Sequence, residues 1–240
     1  MELLTAELIH RGERTVDGIN SPIRAIVRMA DRDAVVILKE LAPTLLAAEC
    51  FAALLLRGWG LNVPEPVLVH DHEEKNYFGS LEVNYPSLKQ SMGFNNLAEN
   101  IRAQIYPHMA KIAAQWKQTP LCIATDEIIG NKDRNIGNIL WDGGDPWFID
   151  HERSFDLLEQ DDLNKMVELI LLSDTPKAIQ TSAVAIIFTL LPSIIDEAEQ
   201  ATAALATAKF KASLKSRTPG WARPAIKRFP QPDDLLSVNT

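Results

Sequence analysis

Asp126-Glu127-Ile128-Ile129-Gly130-Asn131-Lys132-Asp133-Arg134-Asn135-Ile136-Gly137-Asn138-Ile139-Leu140, closed a few residues later by Phe148-Ile149-Asp150-His151-Glu152, is the stretch that decides the fold. Apolar Ile139 to Ile149 surrounds Gly143-Gly144, a pair that can supply the positive φ angles of a two-residue hairpin turn. Asn138 stands directly before the first strand of that hairpin, five residues after Asp133, and Asp150 closes the second strand. The hairpin therefore brings Asn138 and Asp150 to one end. Trp141 and Trp147 flank its turn as an expected cross-strand aromatic pair.

Upstream of this segment the patterning changes. Ile23, Ala25, Val27 and Met29 alternate, and Ala34 to Leu38 is rich in β-branched residues, so two antiparallel strands joined near Asp31-Arg32 are expected. Thr44 to Arg57 starts after Pro43 and stops at Gly58, the punctuation of a helix. Short strands at Val67–Val69 and Tyr77–Val83 complete a β-β-α-β-β order. Helical spacing returns from Leu97 to Lys117, and again over Asp161–Leu172, Ala178–Leu191 and Ile194–Ser216. From Pro219 to Thr240 prolines and polar residues predict a mostly irregular tail. Strands followed by helices predict an α+β class, with a β-rich lobe over residues 1–84, a helical lobe over 85–218 and the tail over 219–240.

Composition narrows the function classes. Of 240 residues 46% are hydrophobic and 23% charged, which is ordinary for a globular chain. With 24 basic against 32 acidic residues the net charge is −8, which opposes direct nucleic-acid binding and attachment to an anionic membrane. Cys50 and Cys122 lie among apolar residues with no metal-type spacing, so buried thiols in a reducing compartment are expected. The N-terminus has no secretory pattern and the longest apolar stretch, Ala183 to Ile195, contains Pro192, so a cytoplasmic location is expected. His70 and His72 are one residue apart without a third ligand, and read as a strand-end pair rather than a metal site.

Asn138 and Asp150, brought to one end of the hairpin, are two oxygen ligands of the kind Mg²⁺ accepts, since that ion takes one or two protein carboxylates and completes its shell with water and phosphates. Phosphoryl transfer further requires a carboxylate near the acceptor hydroxyl and a cation on the donor phosphates. Asp133 suits the first role. Lys39, ending an apolar strand, suits the second, with Glu49 on the next helix as its ion-pair partner. Taken singly, a strand-end lysine is more often an edge charge, and loop Asp and Asn more often cap or turn. The combined order of strand lysine, helix glutamate, Asp-x-x-x-x-Asn, hairpin and strand-end aspartate is what carries weight.

These stretches resemble the HipA-like kinases, which share the protein-kinase-like fold and are distantly similar to the phosphatidylinositol 4-kinases. The resemblance lies in Val36-Ile37-Leu38-Lys39-Glu40, Ala48-Glu49, Gly60 to Pro66, Ile129 to Asn135, Gly137-Asn138 and Ile149 to Phe155, and places a little over half of the chain, from Ile23 to Phe155. It implies a two-lobed protein-kinase-like fold, with a small antiparallel-sheet N-lobe and a mainly helical C-lobe. It further implies an ATP- and Mg²⁺-dependent kinase acting on a Ser/Thr hydroxyl of a protein. In it Asp133 would be the catalytic aspartate, Asn138 and Asp150 the Mg²⁺ ligands, Lys39 the nucleotide-phosphate lysine and Glu49 its partner. Glu82 and Val83 would form the hinge that meets adenine. The family often has His where this chain has Asn135, and Gly12 and Gly18 make no G-x-G-x-x-G loop, leaving Asp17 to Ser21 to cover the phosphates. A toxin–antitoxin setting with an antitoxin-like partner follows from the same resemblance. Two other readings share the residues: a nucleotide-binding pseudokinase that regulates a partner, and a small-molecule or lipid kinase.

Overall fold

The computed structural model describes residues 1–14, 22–158 and 162–229. Asp17 to Ser21, expected to cover phosphates, lie outside the described residues. Among the described residues the N-terminal part holds five strands: β1 (Leu4–Arg14), β2 (Ile23–Arg28), β3 (Asp33–Lys39), β4 (Pro66–His70) and β5 (Asn76–Leu81). They close into a barrel in the order β1-β2-β3-β5-β4. Neighbours are antiparallel except β1 and β4, which run parallel from Leu4↔Val67 to Glu7↔His70.

The closure corrects the expected small antiparallel sheet. The reason is β1, whose Leu4-Thr5-Ala6-Glu7-Leu8 alternation is a strand pattern interrupted by charges that face outward. Inside the barrel, Ala6, Ala25, Val27, Val36, Leu38, Val67, Val69 and Tyr77 pack together. With no free edge on β3, its last residue Lys39 is not the exposed edge charge that strand-end lysines often are. It is 11% exposed.

Helix α1 (Pro43–Gly58) begins with proline in its first turn and is buried without interruption from Leu46 to Leu56. A helix apolar all round belongs in a protein interior. One side of α1 meets the barrel, where Leu46 and Cys50 contact Leu68 and Phe78. Its other side shares a core with the helical part, so α1 ties the two parts together. A Cβ on Gly58 would lie 2.5 Å from Ile194 Cγ2, so only glycine lets the end of α1 approach that side chain.

The remaining elements are α2 (Leu88–Ser91), α3 (Glu99–Gln115), α4 (Thr119–Ile129), the short pair β6 (Ile139–Leu140) and β7 (Trp147–Phe148), α5 (Lys165–Leu171), α6 (Pro176–Ile187), α7 (Ser193–Ala201), α8 (Ala208–Arg217) and α9 (Ala222–Arg228). Three expectations are revised here. The long helix over Ile194–Ser216 is two helices, because Thr202 and Thr207 bond to each other and to local carbonyls and Ala206 takes φ +58°. In the described part of the tail, up to Phe229, Ala222–Arg228 form α9, held by Ala225 and Phe229 in the core, and residues 230–240 lie outside the described residues. The β6–β7 connection is longer than two residues, and Trp141 packs on Trp116 with ring centroids 5.9 Å apart instead of on Trp147. Both cysteines are free and buried.

Candidate active site

The loop after α4 is built by its own side chains. α4 stops at Gly130, whose φ of +73° is the left-handed cap that glycine adopts without strain. Asn131 then turns the chain, its Oδ1 accepting from the Asp133 N–H at 3.2 Å. The Asp133 carbonyl is the hub that follows. It accepts from the Asn135 backbone N–H at 2.7 Å, from Asn135 Nδ2 at 3.1 Å and from Asn138 Nδ2 at 2.9 Å. Asn135 Oδ1 also accepts from the Gly137 N–H at 2.8 Å. The Asn-rich spelling of this segment thus closes a tight loop with Asp133 on it, and Asn135 is one of its ties.

Asn138 leads into β6, and its carbonyl accepts from the Ile149 N–H at 3.1 Å, so the short hairpin sets Asn138 beside Ile149 and hence next to Asp150. Asp150 itself takes φ +70°, a conformation uncommon outside glycine and tolerated best by Asn and Asp. The chain turns there, and Asp150 Oδ1 accepts from Lys39 Nζ at 2.7 Å.

Lys39 is the centre of a carboxylate cluster. Its ammonium lies 3.6 Å from Glu49 and 3.7 Å from Glu152 in addition to Asp150. Single oxygens of Glu49, Asp150 and Glu152 lie within 4.8 Å of one another. Burial alone would depress the Lys39 pKa, but the three carboxylates outweigh it and raise it, so Lys39 stays charged. Burial pushes Glu49 up to about 7 against the pull of Lys39, while the His151 N–H donates to Glu49 Oε2 at 2.6 Å. Burial would also raise Asp150, yet the Lys39 charge and hydrogen bond hold it below its usual range.

A second, fully buried charge links this cluster to the loop. Arg134 grips Asp126 of α4 through Nε at 3.1 Å and Nη2 at 2.9 Å, neither side chain being exposed. It also donates to the Ile149 carbonyl, and its Nη2 lies 2.8 Å from His151 Nδ1. A guanidinium only donates, so Nδ1 accepts; burial and the nearby Arg134 and Lys39 keep His151 neutral. Arg134 is therefore a strut between the Asp133 loop and the Asp150 segment, too buried to meet an external phosphate. Beyond it, Phe155 stacks on Phe210 at 4.7 Å and meets Phe51 of α1 at 5.5 Å, which anchors the chain past Asp150.

Of the residues singled out from sequence, Lys39, Glu49 and Asp150 meet directly, and Asp133 and Asn138 share one loop beside them. Glu82 and Val83 lie just past β5; the Glu82 N–H is taken by the Val35 carbonyl at 3.1 Å and its carboxylate by Arg24 at 2.8 to 3.0 Å. His70 Nδ1 lies 2.6 Å from Asn76 Oδ1. Sequence reasoning passed over Glu152, Arg153 and Lys165. The first two lie within the quoted stretch Ile149 to Phe155 without a role, but Lys165 lies 32 residues past Asp133 and only the fold places its ammonium on Asp133 Oδ1. The donor set is all oxygen, and among the described residues no donor reaches Asn138 Oδ1. Such a set fits Mg²⁺.

No helix among the described residues is long and apolar enough to cross a membrane. No protein-family model and no curated protein matches the chain. Solved structures do. The chain is similar to the Helicobacter pylori proinflammatory kinase CtkA, with a TM-score of 0.57 and 13% identity over 90% of this chain and 95% of that one. Weaker likenesses, at TM-scores of 0.43 and 0.34, are to an N-terminal 618-residue fragment of LepB from Legionella pneumophila (12% identity, 86% of this chain and 46% of that one) and to WaaP in complex with acyl carrier protein (11% identity, 89% of each). At such identities the first likeness establishes the fold alone: a five-stranded barrel and a helical part arranged as in a kinase, which is a protein-kinase-like fold.

Proposed function

We propose that this protein is an ATP- and Mg²⁺-dependent phosphotransferase of the HipA-like group that phosphorylates a Ser/Thr hydroxyl of a protein. The observation that carries the reading is the convergence of Lys39 on Asp150 at 2.7 Å and on Glu49 at 3.6 Å, from elements 111 and 10 residues apart in sequence. A strand lysine paired with a helix glutamate, beside a metal-binding aspartate, is the arrangement protein kinases need to hold donor phosphates.

In this reading Lys39 binds the donor phosphates and Glu49 orients it. Asp150 and Asn138 would hold Mg²⁺, which when bound neutralises charge on the phosphate oxygens. Asp133 orients the acceptor hydroxyl and takes its proton. Residues 1–84 and 85–218 would act as two lobes meeting at Glu82–Val83. There the Glu82 N–H is committed to Val35, so the Glu82 carbonyl and the Val83 backbone would be the groups that meet adenine. An antitoxin-like partner belongs to the same reading.

Removing a general base lowers the rate by about 10² to 10⁴. Incubation with γ-labelled ATP, Mg²⁺ and protein acceptors should therefore give label transfer that Asp133→Ala abolishes while ATP binding persists. Transfer at the wild-type rate by Asp133→Ala would reject the role of Asp133, and label entering only a small molecule would reject the protein acceptor. One observation favours a nucleotide-binding pseudokinase as the second reading: cations face both oxygens of Asp133. Nucleotide-induced thermal stabilisation without transfer to any acceptor would select it.

A further inference from the structure

Lys165, the first residue of α5, sets Nζ against Asp133 Oδ1, and Arg153 sets Nε 3.7 Å from Oδ2. Lys165 is 50% exposed and Arg153 37%, whereas Asp133 is 17% exposed. Both face outward over the loop on a molecule whose net charge is −8. Lys89 lies against the same loop, its N–H on the Ile136 carbonyl and its Cδ 4.0 Å from where a Cβ of Gly137 would sit, and among the described residues no carboxylate pairs with its ammonium.

A base must present an oxygen to the proton it abstracts. Lys165 bonds one oxygen of Asp133 and Arg153 stands 3.7 Å from the other, so an arriving hydroxyl competes with both cations for the carboxylate. An exposed lysine on a flexible four-carbon stem is held weakly and redirects at little cost. What draws it away is an anion arriving beside the hydroxyl. A basic segment would meet like charges and leave the carboxylate capped.

We propose that Lys165 and Arg153 select the acceptor, and that it is an acidic peptide segment: a Ser or Thr flanked by carboxylates or phosphates that take the two cations off Asp133. This rests on the phosphotransferase reading above. In the step itself, the bond between the γ-phosphorus and its bridging oxygen breaks as the acceptor oxygen bonds to that phosphorus. ADP leaves with the bridging oxygen, and the hydroxyl proton passes to Asp133.

The test uses the full chain and fluorescein-labelled Ser peptides flanked by Glu, phosphoserine, Ala or Lys. Anisotropy reads binding without nucleotide, and γ-labelled ATP reads transfer. The Glu-flanked peptide should bind at least tenfold more tightly than the Lys-flanked one, less so at high salt, and the phosphoserine arm shows whether phosphate surpasses carboxylate. Lys165→Glu and Arg153→Glu should reverse the order, acting on KM more than on kcat. Lys165→Gln, with an unchanged melting temperature, should erase part of the preference without reversing it. Equal affinity for all peptides, or an order that Lys165→Glu leaves intact, overturns the inference. Transfer without acidic preference sinks the inference alone. Acidic preference without transfer to any peptide sinks the phosphotransferase reading and leaves an acidic-segment binding surface.

Discussion

Lys39→Met removes the one ammonium that Asp150, Glu49 and Glu152 share. In the wild type that ammonium is 2.7, 3.6 and 3.7 Å from Asp150, Glu49 and Glu152, and it is only 11% exposed. Taking one partner from a buried pair costs about 3–5 kcal/mol, because the remaining charge stays out of water uncompensated. Glu49 and Glu152 are 1% and 9% exposed, but Asp150 is 32% exposed and water screens it, so the lower end, about 3 kcal/mol, is expected. The pH dependence has a definite sign. Burial already holds Glu49 near 7, above its unfolded value, and without Lys39 it rises further. The folded variant then binds more protons than the unfolded chain, so its stability is fully present below the unfolded carboxylate pKa and is lost as pH rises through the folded one. Urea unfolding should show a deficit of about 3 kcal/mol at pH 8 and under about 1 kcal/mol at pH 5. Millimolar Mg²⁺ should raise the melting temperature of the variant more than that of the wild type, since a ligand of the folded state alone stabilises it. A deficit equal at both pH values, or absent at pH 8, would refute the reasoning.

Three further outcomes are expected. Asp126→Ala leaves the buried Arg134 guanidinium without its carboxylate and should cost about 3–5 kcal/mol in chemical denaturation, whereas a loss below about 1 kcal/mol would show that Arg134 is not the strut described. Cys50 and Cys122 are fully buried with thiol pKa values raised by burial, so an aromatic disulfide reagent at pH 8 should label neither until urea unfolds the chain. Glu82→Ala breaks the solvent-screened Arg24 pair and should leave the urea unfolding midpoint unchanged, whereas a clear downward shift would show that the pair holds β2 to the chain past β5.

What the sequence discloses depends on range. The order of β2, β3, α1, β4 and β5 is legible from local alternation and punctuation, and the loop around Asp133 from its Asn and Gly spelling, because its hydrogen bonds span two to five residues. Barrel closure is not, since the β1–β4 pairing joins residues some 63 apart and Glu7 breaks the apolar run that would mark β1. Lys39 is legible as a strand end but not as buried, because that depends on β5 closing the edge of β3 and on Glu49, Asp150 and Glu152 gathering round the ammonium. Lys165 has no signal at all: nothing local marks a surface lysine at a helix start as the one that meets Asp133. The split of Ile194–Ser216 into α7 and α8 turns on Thr202 and Thr207 bonding to each other, a choice that helical spacing alone does not encode.

The most direct measurement is a calorimetric titration of ATP into the full chain with and without Mg²⁺, repeated with Asp150→Asn. The account predicts binding that requires Mg²⁺ and weakens at least tenfold in the variant, a loss of about 1.4 kcal/mol or more. No binding of ATP by the wild type, or an affinity indifferent to both Mg²⁺ and the Asp150 carboxylate, would contradict it.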